Sequence, residues 1–210
     1  MKQIRNIFFD FGRTLVEHPA DEAGKRIIRN AGVTNEEDVD YLQSEIFSEK
    51  KYFKLLDENK MQWYEYMYLL SQNVPKRLQN FAFAIANYSL DELPVISGME
   101  LLLEKLKKDG YKLYITSNLN LYHSQQLEKS KFAKYFEDMA FSSRLSARKP
   151  NKEFFIGACK QFEVKPSECV LIDDMEENIS GAICCGINGI RFNGDAKFLQ
   201  EQIEREYSLF

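Results

Sequence analysis

An unbroken apolar run, Ile7-Phe8-Phe9, ends in a carboxylate at Asp10, and Gly12 follows two residues later. The run has no polar face. It therefore reads as a strand over residues 4–9 that is buried on both sides. Such strands occupy the centre of a parallel sheet, and α/β proteins bind ligands beyond the C-terminal ends of those strands. Asp10 thus stands at the mouth of a site. A lone carboxylate at a buried strand end is unfavourable without a metal or a cationic partner.

After Leu15 the pattern changes. Residues 17–94 contain no convincing strand and are rich in helix formers and aromatics. Val39, Leu42, Ile46 and Phe53 share one helical face, and Leu78, Phe81, Ala82, Ile85 and Tyr88 share another. An apolar helix around Trp63 to Leu69 lies between them. The segment predicts an insertion of about four helices that packs on itself, with its aromatic stripes serving as core. From Pro94 onward, helices and strands alternate. Met99, Leu102, Leu103 and Leu106 mark a helix stopped by Lys107, Lys108 and Gly110. Strands are predicted over 111–116, 138–142, 169–172 and 187–192. Helices are predicted over 123–134, over 150–162 with Pro150 in the first turn, and from about Ile179 to Gly186. This order predicts an α/β fold, a Rossmann-like doubly wound parallel sheet with an inserted helical-bundle cap. Residues 1–16 and 95–210 form the expected core, and residues 17–94 the expected cap.

Polar residues follow the strand ends at Asp10, at Ser117-Asn118 and at Asp173-Asp174, and Lys149 precedes a helix. A parallel sheet brings them to one edge. Three carboxylates cannot stay ionised together without a cation. Hard oxygen ligands without histidine or thiolate suit Mg²⁺. Serine and lysine at helix N-termini suit a phosphate. Three carboxylates and a phosphate of about −2 sum to about −5, of which Lys149 offsets one and Mg²⁺ two more. The expected partner is a small phosphorylated molecule.

Other classes of partner are excluded on composition. The 210 residues carry a formal net charge of −4, which offers no footprint for nucleic acid. No apolar run approaches the roughly 18 residues of a membrane span, and Met1-Lys2-Gln3 leaves no room for a signal peptide. The four cysteines lack zinc spacing and read as reduced thiols, which suits a cytoplasmic monomer or homodimer.

Taken together, Asp10-Phe11-Gly12-Arg13-Thr14, Thr116-Ser117-Asn118, Arg148-Lys149-Pro150 and Asp173-Asp174 with Asn178 resemble, in order and over almost the whole chain, the four motifs of the haloacid dehalogenase superfamily. The helical insertion resembles the cap of its first subfamily. Closest in pattern are bacterial sugar-phosphate phosphatases, including glucose-1-phosphatase-like proteins. The resemblance implies a Mg²⁺-dependent phosphoric monoester hydrolase with Asp10 as the nucleophile that forms an aspartyl-phosphate. It further implies a metal held by Asp10, the Gly12 carbonyl and Asp174, with Asp173 beside them. Ser117 and Asn118 would bind the phosphate, and Lys149 would neutralise nucleophile and phosphate. Asn178 stands where many relatives carry a further carboxylate.

One position departs from that pattern. Phosphatases of the superfamily usually carry an aspartate two residues after the nucleophile as general acid and base, and here that position is Gly12. Either His18 or Glu17 substitutes, or the enzyme favours substrates with good leaving groups. The second reading predicts a burst followed by slow turnover. A glycine that needs positive φ would resist substitution by aspartate. A metal-independent 2-haloacid dehalogenase and a catalytically weak phosphate-binding protein are the competing readings. Arg13 and Arg148 are expected as structural ion-pair partners, His18 as a hinge or surface residue, and Asp57 as a solvated turn residue.

Overall fold

The computed structural model describes residues 4–47 and 52–207; residues 1–3, where the sequence predicts no leader, lie outside them. Strand β1 (Asn6–Phe9) is buried at every position. It sits at the centre of a five-stranded sheet with β2 (Lys112–Ser117), β3 (Asp138–Phe141), β4 (Cys169–Asp173) and β5 (Asn188–Arg191), in the order β3-β2-β1-β4-β5. All four pairings are parallel. The register sets Phe9 beside Ile115 of β2 and beside Ile172 of β4. Alternation along β1 splits its side chains between two cores. Ile7 and Phe9 face the larger core. Phe8 faces the smaller one and meets Tyr114 and Phe162 edge-on at 5.7 and 5.3 Å.

Between β1 and the helix α6 (Met99–Lys108) the described chain is helical: α1 (Glu22–Asn30), α2 (Glu36–Ile46), α3 (Lys54–Asp57), α4 (Trp63–Asn73) and α5 (Gln79–Ala86). Asn35 caps α2 by accepting from the Glu37 and Asp38 amides. Gln62 and Glu65 close a capping box on α4. Val39, Leu42 and Ile46 are buried on α2, and Ala82 and Ile85 on α5, at helical spacing. Phe53 does not extend the α2 face; α2 ends at Ile46 and Phe53 stands at the start of α3. The apolar residues of this insertion and those of one sheet face form a single continuous cluster. The two connectors pair with each other. The Glu17 amide donates to Pro94 O at 2.8 Å, and the Ile96 amide to Leu15 O at 3.0 Å.

The remaining helices are α7 (Leu121–Leu127), α8 (Ser142–Leu145), α9 (Lys152–Gln161), α10 (Glu176–Cys184) and α11 (Ala196–Tyr207). Three differ from the sequence reading. The helix expected over 123–134 stops at Leu127. There the Ser130 hydroxyl donates to Leu127 O at 2.7 Å and accepts from the Phe132 amide at 3.2 Å. A serine that serves the main chain in this way competes with the helix. Pro150 is not in the first turn of α9, because Asn151 is its N-cap and Lys152 its first residue. The segment expected as a loop after β3 contains the short helix α8. No helix among the described residues is long and apolar enough to cross a membrane.

Candidate active site

The ends of β1, β4 and β2 meet around one ammonium group. Lys149 Nζ donates to Asp10 Oδ1 at 2.6 Å, to Asp173 Oδ2 at 2.6 Å and to Thr116 O at 2.8 Å. All three of its protons are used. The side chain is 1% exposed, and that of Asp173 is 0%. Asn118 fixes the main chain of the same lysine, accepting from the Lys149 amide at 2.8 Å and donating to its carbonyl at 3.1 Å. Asp173 is fixed in turn. Its Oδ1 accepts from the Met175 amide at 3.0 Å and from Asn178 Nδ2 at 2.9 Å.

Burial raises the Asp10 carboxyl; Lys149 pulls it down, Asp173 and Asp174 push it up again, and its pKa stands at about 7. Asp174, half-buried, is raised first by burial and then by Asp173. Burial works against the Lys149 ammonium, but the carboxylates of Asp10 and Asp173 outweigh it and hold its pKa above the ordinary value.

The donor set suits a hard divalent cation. Asp10, Asp173 and Asp174 each offer a carboxylate oxygen, all within 4.8 Å of one another. Both oxygens of Asp173 are already engaged, so Asp10 and Asp174 are the carboxylates with capacity left. Gly12 lines the same cavity.

That cavity measures about 380 Å³. Asp10, Gly12, Ser117, Asn118, Lys149, Asp174 and Asn178 all line it. The insertion contributes Phe47, Phe53, Lys54, Asp57, Glu58 and Tyr88. Asp57 is buried rather than solvated. Glu17 does not reach the cavity among its lining residues and is ion-paired with Arg26. His18 does reach it. A Cβ built on Gly12 would stand 2.8 Å from His18 Cδ2, so the imidazole fills the space beside that glycine. Gly12 itself has no positive φ; it is Arg13 that does, at 55°. The two arginines part company. Arg13 is held by Asp21 through two bonds of 2.8 and 3.0 Å. Arg148 lines the cavity with its Nε buried and without a partner.

Sequence reasoning missed His123. Asn120 caps α7 by accepting the His123 amide at 3.0 Å, and its Nδ2 lies 3.0 Å from His123 Nδ1. Burial lowers this imidazole to about 3, so it is neutral at ordinary pH. Trp63, Tyr88 and Tyr122 surround it at 5.3, 4.8 and 5.1 Å. The Trp63 and Tyr122 rings stack at 4.5 Å, which seams the insertion to α7. The only trace of this in the sequence is an asparagine three residues before a histidine.

The chain is similar to known proteins along most of its length. The family model for haloacid dehalogenase-like hydrolases matches residues 7–192. A glyceraldehyde 3-phosphate phosphatase of Pyrococcus furiosus is 27% identical over 221 residues, covering 99% of this chain and 88% of that one. A chloroplast flavin mononucleotide hydrolase of Arabidopsis thaliana is 29% identical over 102 residues; that match covers 48% of this chain and 42% of the relative's length. Among solved structures, a HAD family enzyme of Bacteroides thetaiotaomicron in complex with magnesium and inorganic phosphate superposes with a TM-score of 0.69. It covers 93% of this chain and 98% of its own at 21% identity, a likeness of fold. With the parallel sheet, the strand-end carboxylates and a family match across nearly the whole length, the chain belongs to the haloacid dehalogenase-like hydrolases.

Proposed function

We propose that this protein is a Mg²⁺-dependent phosphatase that hydrolyses a small phosphoester, such as a sugar phosphate, through an aspartyl-phosphate on Asp10. The observation that carries the reading is the buried Lys149, which bridges Asp10 and Asp173 beside a third carboxylate at the strand ends. The names of the relatives, a glyceraldehyde 3-phosphate phosphatase and a flavin mononucleotide hydrolase, support it. A cavity of about 380 Å³ suits a small substrate.

Asp10 Oδ attacks phosphorus, the bond to the leaving oxygen breaks, and that oxygen takes up a proton. Water then attacks the aspartyl-phosphate, releases inorganic phosphate and restores the carboxylate. Lys149 orients Asp10 and offsets part of its charge as the phosphate approaches. Ser117, at the end of β2, binds a phosphate oxygen. Asn118 acts chiefly by fixing Lys149, and Asn178 by fixing Asp173. Asp10, Asp174 and the Gly12 carbonyl would hold Mg²⁺, which supplies charge neutralisation between the carboxylates and the phosphate when bound. His18, over Gly12, offers its Nε2 hydrogen to the leaving oxygen as a hydrogen bond, and the proton that this oxygen takes up comes from water. Residues 17–94 act as a cap over the core of residues 1–16 and 95–210, excluding water and shaping the substrate end.

The test is Asp10→Asn with p-nitrophenyl phosphate and Mg²⁺. Phosphate release should vanish while the circular dichroism spectrum stays that of the wild type. Wild-type turnover by this variant would remove Asp10 from its role. Full wild-type activity in EDTA would overturn the metal-dependent reading.

A further inference from the structure

Two arginines line the cavity, and only one is occupied. The guanidinium of Arg13 is held at two points by Asp21. That of Arg148 makes no hydrogen bond or ion pair among the described residues, and its Nε is buried without a partner. Arg26, Arg29, Arg77 and Arg144 are each paired with a carboxylate at the surface. Arg148 is partly buried and lacks such a pair; it feels the charge of Glu58 without a hydrogen bond to it, and its buried Nε has no acceptor.

Its position is fixed from both sides. The next residue, Lys149, is clamped by Asn118, and the Arg148 carbonyl accepts from the Asn151 amide at 2.9 Å. Helix α3 and its C-cap contribute Lys54, Asp57 and Glu58 to the same cavity. Glu58 is the carboxylate on which the Arg148 charge acts, and it is paired with Lys60 at 2.6 Å rather than with the guanidinium. Lys54 forms no ion pair among the described residues, so a second cation faces the same space. A planar fork with free donors recognises a planar or tetrahedral oxyanion, a carboxylate or a phosphate.

We infer that Arg148 is a specificity-determining residue that binds a second anionic group, carried by the leaving group of the phosphoester, with Lys54 of α3 adding charge in the same cavity. This rests on the phosphatase reading and narrows it. The preferred substrate is a small phosphomonoester that ends, away from the scissile bond, in a carboxylate or a second phosphate.

The experiment compares three-carbon phosphomonoesters that end in a carboxylate, a second phosphate or a hydroxymethyl group. Wild type, Arg148→Gln and Arg148→Lys are each assayed for kcat/KM with Mg²⁺. Arg148→Gln should lower the preference for one of the anionic esters over the hydroxymethyl ester by about 10–100-fold. Arg148→Lys, which keeps the charge without the fork, should restore part of it. Whichever anionic ester loses more identifies carboxylate or phosphate as the group held. An equal loss on all three esters would overturn the inference and put Arg148 on the transferring phosphate. An unchanged preference with a lowered melting temperature would overturn it in favour of a structural partner for Glu58. If wild type releases phosphate from none of the esters, the phosphatase reading fails by itself. The same esters are then titrated into wild type and Arg148→Gln by calorimetry. Weaker binding of an anionic ester by the variant supports the inference, and equal binding overturns it.

Discussion

The imidazole of His18 occupies the space that a side chain on Gly12 would need. The Ala20 amide donates to its Nδ1 at 3.1 Å, so the neutral ring carries its proton on Nε2. His18→Ala should therefore slow esters with poor leaving groups by about 10²-fold and aryl phosphates much less. The check is kcat/KM across a series of esters graded by leaving-group pKa, where a uniform loss, or none, rules out His18 as the donor. Gly12→Asp would have to displace that ring, and the obstacle is this contact rather than backbone strain. Asp10, Ser117, Lys149, Asp173 and Asp174 were legible because each stands at or directly after the end of an apolar strand or beside a proline, and the structure brings all but Asp173 to one cavity, with Asp173 buried behind Lys149. Phe47, Phe53, Asp57, Tyr88 and His123 were not. They arrive from helical segments, and helical periodicity says which face is buried but not which residues look down on the strand ends. The different fates of Arg13 and Arg148 were equally hidden, since Asp21 comes within reach of Arg13 only through the turn at 18–21.

At the scale of elements, α10 lies against the segment that carries Lys149. A Cβ on Gly181 would stand 2.4 Å from Pro150 O and 3.1 Å from a Phe155 ring atom. Gly181→Ala should thus destabilise the fold by about 1–3 kcal/mol and also lower kcat/KM, by shifting the turn that holds the lysine. Urea unfolding and phosphate release measure the two effects. Lost stability with unchanged activity would mean that the turn is held by Asn118 without help from α10. Strands β1 and β4 were legible because nothing polar interrupts them until the terminal carboxylate. The end of α7 was not, because helix propensity continues through 128–134 while Ser130 and the buried Phe132, packed edge-on to Phe11 at 5.7 Å, draw the chain away. The start of α9 was displaced for a similar reason: the Asn118 side chain already holds the Lys149 main chain, so the helix begins beyond Pro150.

For the whole molecule, the carboxylate cluster couples folding, metal and protons. The Asp10 pKa is raised from 3.8 to about 7, so the folded, metal-free chain binds that proton more tightly than the unfolded chain. The stabilisation is complete below the unfolded value and is lost as pH rises through about 7. Asp174 shifts in the same direction. Lys149 is also raised, and its contribution persists throughout this window because it is lost only above its own pKa. In EDTA the melting temperature should accordingly fall between about pH 4 and pH 7. Mg²⁺ should reverse the loss at pH 7, and its apparent Kd should weaken by up to about tenfold per pH unit below 7. Thermal melts and calorimetric titration across pH test this, and a Kd independent of pH would break the link between Asp10 and the metal. The parallel sheet was legible from the alternation of strands and helices, whereas the continuity of the insertion with one sheet core was not, since each helix shows only its own buried stripe. The central place of β1 also bears on how the chain is made. Strand β1 is made before both of its partners and must wait for residues 112–115 on one side and 169–172 on the other before its ladders can close. At about 5–20 residues per second, the second wait lasts on the order of ten seconds or more. For that time Ile7, Phe8 and Phe9 are an uncovered apolar segment of the nascent chain, the kind of segment that chaperones bind.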